Sequence, residues 1–364
     1  MSGLISIRRP TKSGSAAASG PTPTHMPGDD PGRGPGLGSG PTQAGAALLG
    51  VLSVHFERGR CRVKCPFCYL GAREGAVDAG PVAGSGLLTT EATDLGLEEA
   101  SLALLEAALH QLPYRELAIT VSEPIEPLVE SGALSRLLQV AQARRLPRAV
   151  TTTLSVAVSA DASLFAAATR LNLSIDPFKG PAQGRLQAPV GAVLAADVDA
   201  ALRQVADRWP QAERVLIATL STQRFAEQLC DGLLAELVAL PSVDRIALNA
   251  VKPPPAWCDR AFWLRALHRL RPLLAQHLDS RLFLDCYVAA RILGLGDCPA
   301  RPDVAPAPAA LAADGNDVDP TRPRLAFRGC VYQPGADFTF DSSDDLIQRL
   351  HAFRPPAVCP FPIR

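Results

Sequence analysis

Short apolar segments that resemble strands alternate with longer segments that resemble helices over most of this chain. The clearest helical pattern spans 222–240, where Phe225, Leu229, Leu233 and Leu237 recur every four residues and form one apolar face. Regular alternation of this kind favours parallel strands joined by right-handed crossovers, and six or seven such units predict an α/β fold built as a complete or partial barrel. The predicted strands are 48–56, 116–121, 149–154, 171–175, 214–219, 243–248 and 281–285.

Composition agrees with a globular protein that carries appendages. The chain has 364 residues, of which 47% are hydrophobic, enough for one large domain and a smaller one. Its 36 Lys and Arg residues balance 36 Asp and Glu residues, so no net charge favours binding to nucleic acid or to an anionic membrane. Nine cysteines, an odd number, suit a reducing compartment better than a disulfide framework.

The first 46 residues are dominated by Gly, Pro, Ser, Thr and Ala, and we expect them to form a disordered tail. The uncharged stretch 44–56 is too short to cross a bilayer, and the basic N-terminus lacks the apolar core of a signal peptide. We therefore expect a soluble cytoplasmic protein, with an ordered domain over 47–285.

Three closely spaced cysteines follow the first predicted strand. Cys61, Cys65 and Cys68 have the spacing Cys-x3-Cys-x2-Cys, and thiolates are the ligands of iron-sulfur clusters. Three protein ligands leave one iron of a four-iron cluster open for chemistry. Zinc with a fourth ligand such as His55 is an alternative, although zinc sites usually use recurring Cys-x2-Cys pairs and His55 suits the core of a strand. Buried apolar packing is a third interpretation.

The spacing, with Phe67 before the third cysteine and Tyr69 after it, resembles the signature of the radical S-adenosylmethionine (SAM) superfamily. The resemblance implies a [4Fe-4S] cluster on Cys61, Cys65 and Cys68 whose fourth iron chelates SAM. It implies reductive cleavage of SAM to a 5′-deoxyadenosyl radical that abstracts hydrogen from a substrate. It also implies an electron donor such as flavodoxin or ferredoxin, and a partial (β/α)6 barrel over about 47–285.

Polar residues at the carboxyl ends of the predicted strands are candidate ligand contacts, because parallel barrels carry their sites at that edge. Val121-Ser122-Glu123-Pro124 lies where the superfamily has Gly-Gly-Glu-Pro, so the resemblance implies that Glu123 receives the SAM ammonium. By the same resemblance Ser155 faces the ribose, Thr219 lies on the adenine side, and Ser174 belongs to a fourth-strand motif. Solvated strand ends are the alternative for these hydroxyls. Further candidates for substrate contact are Asp176, Lys179, Asn249 and Lys252.

The pattern changes after Asp285. The segment 286–364 has little apolar periodicity, a strand-like run at 337–340, a helix near 344–353, and a predicted flexible excursion at 302–323. Four cysteines are the number that closes a metal site, and the element after Cys330 resembles the twitch and SPASM extensions of radical SAM proteins. We expect a small irregular extension with a second iron-sulfur cluster on Cys286, Cys298, Cys330 and Cys359.

Such extensions favour a ribosomally made peptide as the substrate, by family analogy. A small molecule such as a sugar or nucleoside is the alternative substrate. A zinc-stabilised binding protein without catalysis is the alternative class. Cys230 and Cys258 fall in or beside predicted helices, where we expect buried packing.

Overall fold

A computed structural model describes the barrel and parts of the C-terminal segment. The predicted N-terminal tail lies outside the described residues, and so do several predicted site residues. These are Cys61, Cys65, Cys68, Glu123, Asp176, Lys179, Lys252, Cys286, Cys298, Cys330 and Cys359. The described residues are 49–56, 93–121, 132–175, 177, 193–251, 255–278, 280–285, 303–306, 324–328, 336–339 and 342–352.

Ten strands form one sheet in the order β10-β9-β8-β1-β2-β3-β4-β5-β6-β7. Strands β1 to β7 are parallel and curl into a half-barrel, which confirms the predicted α/β partial barrel. They are β1 Leu49–Phe56, β2 Tyr114–Val121, β3 Arg148–Thr153, β4 Arg170–Ile175, β5 Glu213–Leu220, β6 Arg245–Ala250 and β7 Leu282–Leu284. Beyond β1 the sheet continues with β8 Asp303–Pro306, β9 Arg324–Arg328 and β10 Ala336–Thr339.

All the helices named below except the last fall between these strands in the chain, and several begin at a side-chain cap. Thr153, Thr222 and Asp259 each accept a hydrogen bond from the backbone N–H three residues later, which satisfies a free donor of the first turn. None of the helices in the described ranges has a stretch long and apolar enough to cross a membrane. They are α1 Thr93–Gln111, α2 Ala133–Ala143, α3 Leu154–Ser159, α4 Ala195–Arg208, α5 Gln223–Gln228, α6 Leu234–Ala239, α7 Arg260–His277 and α8 Ser343–Ala352.

The two faces of the half-barrel differ in composition because strand side chains alternate between faces. On the outer face, residues such as Leu117, Leu171 and Leu216 join the helices in one large buried core. On the concave face, Ile217, Ala247 and Phe283 are partners in register on β5, β6 and β7, and they form a separate small apolar cluster. The side chains that form the concave face are therefore different from those that pack against the helices.

The predicted helix at 222–240 is interrupted. Gly232 has φ +142° and ψ −28°, a conformation outside the helical region, and the stretch Leu229–Leu233 separates α5 from α6. The apolar i+4 pattern continues through the break, with Leu229, Leu233 and Leu237 all buried. Periodicity predicted the buried side of this stretch correctly but not its kink.

The C-terminal segment contributes two strands, β8 and β9, that were not predicted, and β10 confirms the strand-like run predicted at 337–340. β8 pairs parallel to β1, with Val54 opposite Val304, and β9 and β10 follow as antiparallel neighbours. β8 lies in the predicted flexible excursion. Strands this short offer too few residues for an alternating pattern to be recognised, and Pro306 ends β8 at the point where a ladder donor is lost. The predicted helix near 344–353 is present as α8, whose Leu346 and Leu350 are buried in the main core.

We predict that Gly232→Ala lowers the free energy of unfolding by about 1–3 kcal/mol, because its φ is one that L side chains rarely adopt. No atom of the described residues lies within 4 Å of the added Cβ, so the cost is that of the backbone conformation. Urea unfolding followed by circular dichroism measures the difference. Glu236→Ala, an exposed change within α6, is the control and should change stability by less than about 0.5 kcal/mol. Equal stabilities for the two variants would contradict the argument.

Candidate functional site

The carboxyl ends of β1 to β7 lie at one edge of the sheet because these strands are parallel. Their concave-face residues align in rows across neighbouring strands. One row contains Thr153, Ser174, Ile217, Ala247 and Phe283, and the next row toward the carboxyl edge pairs Thr219 with Asn249. We call these positions, with Ser155 and Asp285, the upper concave face.

The β3–β4 corner of the upper concave face holds three hydroxyl groups. Thr153 Oγ1 lies 2.9 Å from Ser155 Oγ and also accepts the Val156 N–H at 3.2 Å, which caps α3. Ser174 is the register partner of Thr153 on the adjacent strand. Two of the predicted residues, Ser155 and Ser174, are thus brought to one corner. The sequence analysis missed Thr153, because a threonine in a strand carries no distinctive signal.

The opposite side of the upper concave face is built by β5, β6 and β7. Thr219 and Asn249, both predicted, are register partners. The Asn249 side chain is nearly buried, with 5% exposure, and its Oδ1 has no hydrogen-bond partner among the described residues. A buried acceptor without a donor costs about 1–3 kcal/mol, so native proteins seldom retain one without a use.

Asp285 lies beside Asn249 and is fully buried. Its Oδ2 accepts the Ala250 N–H at 2.9 Å, and its own N–H donates to the Leu248 carbonyl at the same distance. The carboxylate therefore ties the end of β7 to β6. From the sequence, Asp285 is predicted only as a strand end, although an acidic residue that closes an apolar run is a signal for such a position.

The deeper part of the concave face carries paired charges rather than neutral groups. Arg170 pairs with Glu116, and Arg245 Nε lies 2.5 Å from Glu213 Oε1. The Arg245 guanidinium also lies 5.3 Å from the centre of the Phe283 ring. Within each pair the two opposite charges neutralise each other, near the amino ends of the strands. The carboxyl end carries the hydroxyl and amide groups of Ser155, Ser174, Thr219 and Asn249, beside the Asp285 carboxylate.

A second buried amide, that of Asn172, lies on β4 between Arg170 and Ser174. Asn172 Nδ2 donates to Thr151 Oγ1 at 2.9 Å, while Asn172 Oδ1 has no partner among the described residues. This amide is thus half satisfied within the sheet. Asn249 makes no comparable side-chain bond in the part of the chain that the structure describes.

The cysteines in the described ranges are packing residues, as predicted. Cys258 is buried, and burial raises the pKa of its thiol to about 12. Cys230 is partly buried, and burial raises its thiol pKa as well. Burial therefore favours the neutral thiol at both positions. Within the described ranges no three His, Cys, Asp or Glu residues converge on a metal position, and the seven predicted ligand cysteines lie outside those ranges.

Two solved structures show a distant likeness to this chain. No family model and no curated protein sequence matches the chain. A solved structure described as PhdJ bound to substrate intermediate is 15% identical with a TM-score of 0.34, over 68% of this chain and 64% of that one. An HpcH/HpaI aldolase from Desulfitobacterium hafniense DCB-2 is 9% identical with a TM-score of 0.25, over 52% of this chain and 82% of the other. The chain thus spans less than two thirds of PhdJ, and likenesses at this level define no function for it.

Proposed function

We propose that this protein is a radical SAM enzyme that abstracts hydrogen from a peptide substrate. The observation that carries the proposal is the order of Cys61, Cys65 and Cys68 directly after β1. β1 is a parallel strand whose last residue, Phe56, pairs with Val121 at the end of β2. The chain therefore enters the cysteine segment from the carboxyl edge, where parallel barrels carry their chemistry.

The donor groups near this edge suit the proposed cofactors. Three thiolates in one short segment are a soft ligand set of the kind that iron-sulfur clusters use. The upper concave face offers neutral hydroxyls on Ser155, Ser174 and Thr219. The unpartnered Asn249 Oδ1 needs a hydrogen-bond donor, and the hydroxyls and amines of SAM or of a substrate supply such donors. The cluster and SAM, when bound, would supply the capacity to remove a hydrogen atom from an unactivated C–H bond.

The chain's own residues would bind and orient the reactants. Cys61, Cys65 and Cys68 would hold the metal, and Glu123 would accept charge-assisted hydrogen bonds from the SAM ammonium. Ser155 is held by its contact with Thr153, so its hydroxyl has a fixed position from which to bind a ribose. Near the amino ends, Arg170 is paired with Glu116 and Arg245 with Glu213, so these charges are already engaged and do not compete for the polar groups of the ligand.

A second cluster on Cys286, Cys298, Cys330 and Cys359 remains part of the proposal. One strand of this segment, β8, pairs with β1, the same strand that precedes Cys61. Cys330 lies in the chain between β9 and β10, which are adjacent antiparallel strands. The segment therefore adjoins the edge of the half-barrel at which the proposed SAM cluster begins, and this supports a role next to the reaction.

A small-molecule substrate is the second candidate. The upper concave face presents neutral hydroxyl and amide groups, and these would suit the hydroxyls of a sugar or nucleoside as well as peptide amides. The peptide is preferred because the cysteine-containing extension resembles those of peptide-modifying members of the family.

We predict that Cys65→Ala abolishes SAM cleavage, because two remaining thiolates hold the cluster too weakly to present an open iron. The assay is 5′-deoxyadenosine formation after anaerobic reconstitution, with dithionite as the reductant. Cys230→Ala is the matched control, since Cys230 is a partly buried packing residue, and this variant should retain most of the activity. Substantial 5′-deoxyadenosine formation by Cys65→Ala would contradict the proposal.

We also predict that Asn249→Leu raises the free energy of unfolding by about 1–3 kcal/mol while impairing turnover, because it removes a buried acceptor that has no donor among the described residues. Asn172→Leu is the control at the same face. It removes the bond to Thr151 and should stabilise less, or destabilise. Urea unfolding of the unliganded variants measures both effects. A larger loss of stability in Asn249→Leu than in Asn172→Leu would show that Asn249 is a structural residue.

A further inference from the structure

Two buried polar atoms on the concave face of β4 lack a hydrogen-bond partner. Arg170, Asn172 and Ser174 alternate along β4 and therefore share this face. Arg170 Nε, a donor, and Asn172 Oδ1, an acceptor, are both buried and bond to no atom of the described ranges. Each such atom lowers stability until a ligand or a water molecule completes it. An unused donor and an unused acceptor at neighbouring positions thus indicate a site for a group that offers both.

The Arg170 donor is unbonded although the charge of the side chain is balanced. Arg170 Nη2 donates to Glu116 Oε1 across β3, where Ala149 is the register partner of Arg170 and leaves room for the two long side chains. A comparable pair on the next strands engages its Nε, since Arg245 Nε lies 2.5 Å from Glu213 Oε1. The site on β4 therefore presents an N–H donor whose positive charge is already neutralised.

The Asn172 acceptor is held in place by the other half of its amide. Asn172 Nδ2 donates to Thr151 Oγ1 at 2.9 Å, and Thr151 is the register partner of Asn172 on β3. This bond uses the amide nitrogen and leaves Oδ1 as the free acceptor. Asn172 is 6% exposed, whereas the Arg170 side chain keeps 24% of its surface exposed, so this level of the concave face is not sealed from solvent.

The two atoms select a neutral ligand group. A carboxylate offers no donor to Asn172 Oδ1, and an ammonium offers no acceptor to Arg170 Nε. A single bridging oxygen joins atoms at most about 5.8 Å apart, because each hydrogen bond is about 2.9 Å long. Residues two apart on a strand are spaced by about 6.6 Å, which favours a group whose donor and acceptor are different atoms. A carboxamide is such a group.

We propose that Arg170 Nε and Asn172 Oδ1 form a subsite for a primary carboxamide, the end group of an asparagine or glutamine side chain of the substrate. The inference rests on the proposed function, because it concerns the substrate of that reaction, and it favours a peptide over a sugar. Ser174 lies about 6.6 Å beyond Asn172 toward the carboxyl edge. The bound carboxamide would therefore direct the carbon atoms of its own side chain toward the corner that holds Ser155 and Ser174.

The first test measures four small probes against the full wild-type chain by saturation-transfer difference NMR. The probes are propanamide, N,N-dimethylpropanamide, propanoate and 1-propanol, which share a short carbon chain and differ in their donors and acceptors. We expect propanamide to bind at least roughly fivefold more tightly than each of the others, as the loss of one hydrogen bond predicts. Equal binding of 1-propanol would show a site for one bridging oxygen, and no binding of propanamide would leave only a water site. Either result would overturn the carboxamide subsite.

The second test compares variants of the subsite with a matched control. Asn172→Leu removes the acceptor, and Arg170→Met with Glu116→Met removes the donor together with its counter-charge. Both should weaken propanamide binding by roughly tenfold. The control is Arg245→Met with Glu213→Met, which removes a pair whose Nε is already bonded and should stay within about twofold of the wild type.

Circular dichroism establishes that each variant is folded, and the comparison of probes on the wild type requires no variant. Wild-type affinity for propanamide in folded Asn172→Leu would contradict the subsite. The binding assay uses neither SAM nor a reductant, so it is independent of the assay for the proposed function. Absence of SAM cleavage in the wild type would overturn the proposed function alone, whereas active cleavage without selective propanamide binding would overturn the subsite alone.

Discussion

The parallel pairing of β1 to β7 is the constraint on which the rest of the structure depends. It fixes the register, and the register decides which residues turn toward the helices and which toward the concave face. Leu117, Leu171 and Leu216 face the helices and build the main core. Thr219 and Asn249 turn to the other side. A slip of one residue in any strand would exchange the two sets, bury hydroxyls and amides against the helices, and remove the candidate site.

The side chains that stabilise the fold and those that form the candidate site lie in different parts of this arrangement. The outer face and the helices supply the buried apolar area, while the upper concave face contains a buried amide oxygen on Asn249 that no described residue satisfies. Such a group lowers stability in the free protein and is tolerated where a ligand completes it. Asp285 adds rigidity at the same place by tying β7 to β6 through the Ala250 N–H. The site is thus held by backbone contacts that leave the polar atoms of Asn249 available to a ligand.

The sequence predicted the half-barrel because its strands are strongly apolar runs that alternate with helices, and the strand ends led directly to Ser155, Ser174, Thr219 and Asn249. Other features depend on tertiary context. The break at Gly232 is invisible to apolar periodicity, because the buried side continues through it. β8 and β9 are too short to show a pattern and are strands through pairing with their neighbours. The roles of Thr153 and Asp285 follow from what lies next to them in space rather than from their residue types.

The proposed chemistry centres on the cysteine segment after β1, so the most direct test is the metal that this segment binds. The measurement is electron paramagnetic resonance of the full chain, purified anaerobically, reconstituted with iron and sulfide, and reduced with dithionite. The account predicts the signal of a reduced [4Fe-4S] cluster whose line shape changes when SAM is added, because SAM binds the open iron. Stoichiometric zinc in place of iron, or a cluster signal that SAM leaves unchanged, would contradict it.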